Sequence, residues 1–90
     1  MYYSMICYDR EDGSELRKKK RDDHISFLSK YKDRILFAGP LLSEENNPKG
    51  SLIVIKGDSK GEIEEISKKD PYFLAGLFKT VEIFGFKKVF

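Results

Sequence analysis

Along the chain the spacing of apolar and polar residues changes several times, and each change marks an element. Residues 2–8, YYSMICY, are aromatic and β-branched enough for a strand, and the polar DREDGSE after them reads as a turn. From about Glu15 to Lys32 the pattern becomes helical, with His24, Phe27, Leu28 and Tyr31 at i, i+3, i+4 and i+7 on one face. RILFAGPLL (34–42) predicts a second strand, kinked at Gly39-Pro40 and placed at a sheet edge because proline cannot donate to a ladder. The turn-forming SEENNPKG (43–50) joins it as a hairpin to SLIVIKG (51–57). In SKGEIEEISKK (59–69), Ser59 and Glu62 stand in capping-box spacing ahead of a thin Ile63/Ile66 stripe, so a short helix is expected. A further helical turn or two follows in PYFLAGLF (71–78), and TVEIFGFKKVF (80–90) is expected to close the chain as a strand with a bulge at Gly85.

The resulting order, β-α-β-β-α-β, is the split βαβ or ferredoxin-like arrangement of the α+β class, an antiparallel sheet with its helices on one face. In the strands both alternating faces are apolar, Leu52 and Val54 against Ile53 and Ile55, and Val81 and Ile83 against Phe84 and Phe86. Two helices cover only one face of a four-stranded sheet. The other is expected to pack on a second copy, giving a homodimer joined sheet to sheet.

Ninety residues are enough for one core and too few for two, so residues 1–90 are read as a single domain. Basic and acidic side chains, 17 and 15, interleave along the chain, which disfavours nucleic acid as a partner. The run RKKKR (17–21) leads directly into Asp22 and Asp23 without stacking aromatics and reads mainly as a solvated helix face. One cysteine, Cys7, sits inside an apolar run, where a small buried hydrophobe suits a reducing compartment. No run approaches the length of a membrane span, so no membrane partner is expected and the protein is read as cytoplasmic.

His24 is the only histidine, and it occupies the apolar stripe of the first helix, where an imidazole is either hydrogen-bonded for structure or functional. Asp70 precedes Pro71. Proline favours a first helical position and forces the residue before it into extended backbone, which makes Asp70 a helix N-cap. Capping uses one carboxylate lone pair and leaves others for a second partner. One histidine and one cysteine, without H-x-H, H-x-x-E-H or C-x-x-C spacing, give no expectation of a metal, and FAGP and LAGL lack the glycines of a dinucleotide or phosphate loop, so no cofactor is expected either.

Taken in order, YDRED after the first strand, RDDH with Arg21 and His24, FAGPL at 37–41, KGSLIVI at 49–55, DPYFLAG at 70–76 and the terminal FGFKKVF make a chain that resembles, end to end, the YciI-like (YCII-related) family of small stand-alone proteins. The resemblance implies a ferredoxin-like fold, a dimer related to the dimeric α+β barrels, and an active site of one histidine and one aspartate, which map onto His24 and Asp70. Asp22 stands where the family's R-x-x-H stretch often carries proline. In such a fold the stripe of the first helix and the turn after the second share a side of the sheet, so the two can meet, Asp70 fixing the tautomer while the other imidazole nitrogen acts as a general base. Tyr72, Phe73 and Phe78 are expected to line a pocket for a small, cyclic substrate, with Arg17, Arg21 and Ser51 as further contacts, the arginines to a carboxylate or phenolate. The function expected is a small-molecule enzyme of lyase or isomerase type; the alternative is a non-catalytic dimeric module that binds a metabolite or a partner protein.

Overall fold

A computed structural model describes all 90 residues. The elements run β1 (Tyr2–Asp9), α1 (Ser14–Ser29), β2 (Ile35–Leu42), β3 (Pro48–Lys56), α2 (Lys60–Ser67), α3 (Pro71–Leu74) and β4 (Phe78–Phe86). The strands form one antiparallel sheet in the order β2-β3-β1-β4, the ferredoxin-like topology.

Strand register sorts the side chains by face, because residues directly opposite one another in a ladder point to the same side. Tyr3, Met5 and Cys7 of β1 align with Ile55, Ile53 and Ser51 of β3, and Met5 with Ile83 of β4. These residues meet the helices, and Phe27 of α1 with Ile63 and Ile66 of α2 complete the buried core. The opposite face carries Phe37, Val54, Ser4 and Phe84 in one row and Leu52 and Ile6 in the next. No helix covers that side. Phe37 and Phe84 are about half exposed there, at 48% and 51%.

Several local expectations shift in detail. The irregularities of β2 fall between Ile35 and Phe37 and between Leu41 and Leu42, with Gly39 and Pro40 paired normally to Leu52 and Ser51. An edge strand tolerates this proline because its missing N–H can face away from the ladder. The break in the β1–β4 ladder lies at Tyr8/Asp9, and Gly85 pairs in register with Tyr3. α1 stops at Ser29, and α3 is a single turn because Gly76 takes φ +76°, a left-handed value that ends the turn and releases the chain into β4. The Ser59 side chain accepts from Glu62 N at 3.1 Å, but the Glu62 carboxylate returns to Asp58 N and to Arg34 rather than to Ser59. Gly50 is needed where β3 passes β1, since a Cβ there would collide with the Cys7 carbonyl oxygen.

Candidate active site

The cap at Asp70 forms as the Asp-Pro pair dictates: Asp70 is extended, Pro71 opens α3, and Oδ1 accepts from Tyr72 N at 2.9 Å. The same carboxylate faces α1. His24 Nδ1 lies 2.8 Å from Oδ1 and 2.9 Å from Oδ2, with both residues buried. An ionised carboxylate only accepts, so Nδ1 carries the hydrogen of this pair, and in the neutral ring Nε2 then holds the lone pair. Nε2 has no partner within the chain. Since no side-chain nitrogen or oxygen is buried without one, Nε2 is reached from the cleft that His24 lines.

That cleft, about 300 Å³, opens between α1 and the β2–β3 hairpin, where one helix is too narrow to cover two strands. Its apolar walls are Ile25 and Leu28 on one side and Ala38, Pro40 and Ile53 on the other. Its polar lining includes Arg17, Lys18, Arg21, His24, Ser51 and Tyr72, and no carboxylate. Of the residues expected at the site, Asp70 stands behind His24, and His24, Arg17, Arg21, Ser51 and Tyr72 line this one cavity. Phe73 and Phe78 do not. Phe78 packs edge-on behind the Tyr72 ring at 5.9 Å, and Phe73 lines a separate groove between α2 and β4. In a one-turn helix neighbouring side chains diverge by about 100°, so Tyr72 and Phe73 cannot share a wall.

Arg17 is 7% exposed, which sets it apart from the solvated face read for RKKKR. Nε and Nη2 donate to Oδ2 and Oδ1 of Asp9 at 2.7 and 2.9 Å, and Nη2 also donates to Ser51 Oγ at 3.0 Å. Burial works against the charge of this guanidinium, but the hydrogen bonds and charge of Asp9 outweigh it and hold the pKa above its ordinary value. Asp9 is the residue that sequence reasoning missed. It ends the alternation Tyr3, Met5, Cys7, Asp9 on the inward face of β1, and a carboxylate in such a stripe signals a buried cation.

Tyr72 ties the two side-chain pairs together. Its ring stacks on the His24 imidazole at 4.0 Å and 14°, and the Arg17 guanidinium carbon lies 4.6 Å from its centroid. Arg17 and His24 are seven residues apart, two turns on one face of α1, so one ring spans both. Burial pushes the Tyr72 phenol up, with Arg17 pulling the other way and Asp70 adding to the rise. Burial, with Asp70 beside it, pushes the Cys7 thiol up to about 12, which leaves it an inert neutral packing group. No three histidine, cysteine or acidic side chains gather into a metal site.

Comparison with known proteins gives this geometry a context. Protein YciI of Escherichia coli O6:H1 is 31% identical over 98 aligned residues, and a protein of Haemophilus influenzae 30% identical, each alignment covering both chains entirely. The solved structure of the 5-chloro-2-hydroxyhydroquinone dehydrochlorinase from Burkholderia phenoliruptrix, in complex with 2,5-dihydroxybenzoquinone, superposes with a TM-score of 0.90, covering 97% of this chain and 94% of that one at 24% identity, and so shares the fold. The model of the YCII-related domain matches residues 1–87, and the chain belongs to that family.

Proposed function

We propose that the chain is an enzyme of lyase or isomerase type in which His24 Nε2 takes and returns a proton on a small cyclic molecule and Asp70 orients the imidazole. The observation that carries this reading is the pairing of His24 Nδ1 with both Asp70 oxygens while the ring's other nitrogen faces an open cleft. A buried carboxylate behind an imidazole fixes the tautomer and stabilises the imidazolium as it forms. A cleft of about 300 Å³ suits a single substituted ring and is small for a nucleotide. Arg17, Arg21, Ser51 and Tyr72 are the substrate contacts. The dehydrochlorinase of the same fold acts on a hydroxylated ring, which supports a ring substrate here.

The alternative, a binding module with a structural His-Asp pair, would be favoured by a filled pocket; the open cleft beside His24 favours the enzyme. The sheet face that no helix covers, with Phe37 and Phe84 about half exposed and Leu52 beside them, supports a homodimer packed sheet to sheet. The single buried thiol fits the cytoplasm.

Proton exchange tests the reading. Hydroxylated benzoquinones and cyclic 1,3-diketones are incubated with the protein in D₂O and deuterium incorporation is followed by NMR. Exchange faster than in buffer and abolished in His24→Gln is the expected outcome. Equal rates with wild type and His24→Gln across the panel would replace the enzyme by the binding module.

A further inference from the structure

Two groups on the cleft floor have hydrogen-bonding capacity that the fold leaves unused. Arg17 directs Nε and both hydrogens of Nη2 to Asp9 and Ser51, and Nη1 makes no hydrogen bond of ordinary geometry, although the Tyr72 phenol lies near enough to help hold the charge. Because no side-chain nitrogen is buried without a partner, Nη1 is open to the cleft that Arg17 lines. Ser51 Oγ accepts from Arg17, yet its own O–H reaches no acceptor in the chain, although the residue is 3% exposed and lines the same cleft. Such a hydroxyl is costly to hide from water unless something arrives to accept its hydrogen.

We infer that Arg17 Nη1 and Ser51 Oγ–H form an oxyanion site that receives the oxygen of an enolate or phenolate as His24 removes a proton. The inference rests on the proposed role of His24 and adds the place where the charge goes. In the step, the Nε2 lone pair takes hydrogen from a carbon beside a carbonyl. The C–H electron pair becomes a C=C bond and the carbonyl π pair moves onto oxygen, where the two donors meet it. Return of the proton from Nε2–H to a different atom gives an isomerase. Re-formation of C=O with departure of a β-substituent and its bonding pair gives a lyase, the proton on Nε2 passing to water.

Asp9 decides which charge this site favours. By pairing the Nε–Nη2 edge of the guanidinium bidentately it offsets much of the attraction that Arg17 would exert on an anion, and it locks the remaining N–H groups in direction. A fixed pair of donors with little net charge binds a neutral carbonyl or phenol oxygen weakly and the oxyanion formed from it more strongly, which is the condition for lowering a barrier. Two further cations line this cleft, Lys18, which pairs with Glu15 at 3.7 Å, and Arg21, and both are exposed on α1 at its rim.

4-Nitrophenol is the probe, because its absorbance reports its ionisation. In the presence of saturating protein the phenolate should appear roughly one pH unit lower than in buffer, since hydrogen bonds from two donors to a charged oxygen favour the phenolate over the phenol about tenfold or more. Ser51→Ala should reverse most of that shift without lowering the melting temperature appreciably. Arg17→Lys, which keeps a charge and loses the fork, should reverse it too; should that variant fail to fold, Ser51→Ala carries the test alone. Equal midpoints for bound and free probe, or an unchanged midpoint in Ser51→Ala, would overturn the inference. So would a shift that survives Ser51→Ala and vanishes in a Lys18→Ala/Arg21→Ala double variant, which places the anion at the rim. His24→Gln separates the two readings: it should abolish proton exchange and keep the midpoint shift, and loss of the shift there would assign it to His24 and overturn the donor pair.

Discussion

Asp70 holds two jobs on one carboxylate, and substituting it two ways should separate them. Oδ1 caps α3 through Tyr72 N, and both oxygens face His24 Nδ1. Asp70→Ala removes the cap, about 1 kcal/mol, and leaves the buried Nδ1–H without an acceptor, about 1–3 kcal/mol more, for a total near 2–4 kcal/mol. Asp70→Asn keeps an oxygen for the cap, since asparagine caps as well as aspartate, and should cost within about 1 kcal/mol. Its price is chemical. With the amide oxygen on Tyr72 N, the NH₂ takes the place of Oδ2, 2.9 Å from Nδ1, where its hydrogen opposes Nδ1–H; the expected outcome is that Nδ1 becomes the acceptor and the hydrogen moves to Nε2, the nitrogen that faces the cleft. A base has become a donor, and the equivalent swap in serine-protease triads costs ~10⁴ in rate. Urea unfolding measures the two stabilities, and ¹⁵N chemical shifts of His24 read which nitrogen is protonated. Asn as destabilising as Ala, or an Nε2 resonance that stays of acceptor type in Asp70→Asn, would refute the reasoning.

Asp9→Ala should be among the most damaging single changes, because it strands a buried guanidinium; about 3–5 kcal/mol is expected by denaturant unfolding, a large part of the ~5–13 kcal/mol available to a chain of this length. Cys7 makes stability fall at high pH: its pKa is raised in the fold from 9.0 to about 12, so the contribution is fully present below 9 and is lost as the pH climbs from 9 toward 12. Between pH 8 and 10 this loss is about 1.4 kcal/mol, and a Cys7→Ala variant should show a correspondingly shallower decline by chemical denaturation at the two pH values. Phe84→Glu, on the uncovered sheet face, should convert a micromolar dimer to a monomer by light scattering without loss of secondary structure, and a wild-type protein that is already a monodisperse monomer would sink the sheet-to-sheet assembly.

The fold was legible because its signals are local and agree with one another. Turn clusters begin where β1 and β2 end, although β3 opens at Pro48 inside the stretch read as turn, a helical stripe runs through His24 and Phe27, and Ser59 caps α2 from the expected place. The His24–Asp70 pair was half legible: Asp-Pro fixes the cap, and the stripe fixes the side of α1 that His24 takes, but the separation of 46 residues is bridged by topology and not by any spacing. Bulge positions were not legible, since Gly39-Pro40 and Gly85 can be absorbed at an edge or a strand end, and the ladders break instead at Ile35/Phe37 and Tyr8/Asp9. Arg17 was misread in part because a basic run is usually solvated, and its inward turn is visible only once Asp9 is recognised as the last member of an inward-facing stripe.

The two buried pairs share a design that explains the character of the cleft between them. Asp9 stands behind Arg17 and Asp70 behind His24, so each acid is turned away from the cavity while its partner faces it, and Tyr72 stacks against both partners. Had either acid lined the cavity, it would have repelled an electron-rich ring and competed for the donors. Placed behind, each one orients its partner and leaves donors, one lone pair on Nε2 and apolar walls facing inward. Tyr72 is the piece that makes the placement possible: its backbone N–H donates to Asp70 and its ring packs on His24 and Arg17, so the carboxylate that caps α3 and the aromatic that spans two turns of α1 are separated by one proline. Removing the ring in Tyr72→Ala would keep the cap yet free both His24 and Arg17 to move, and the loss should therefore fall on the precision of the site before it falls on the fold.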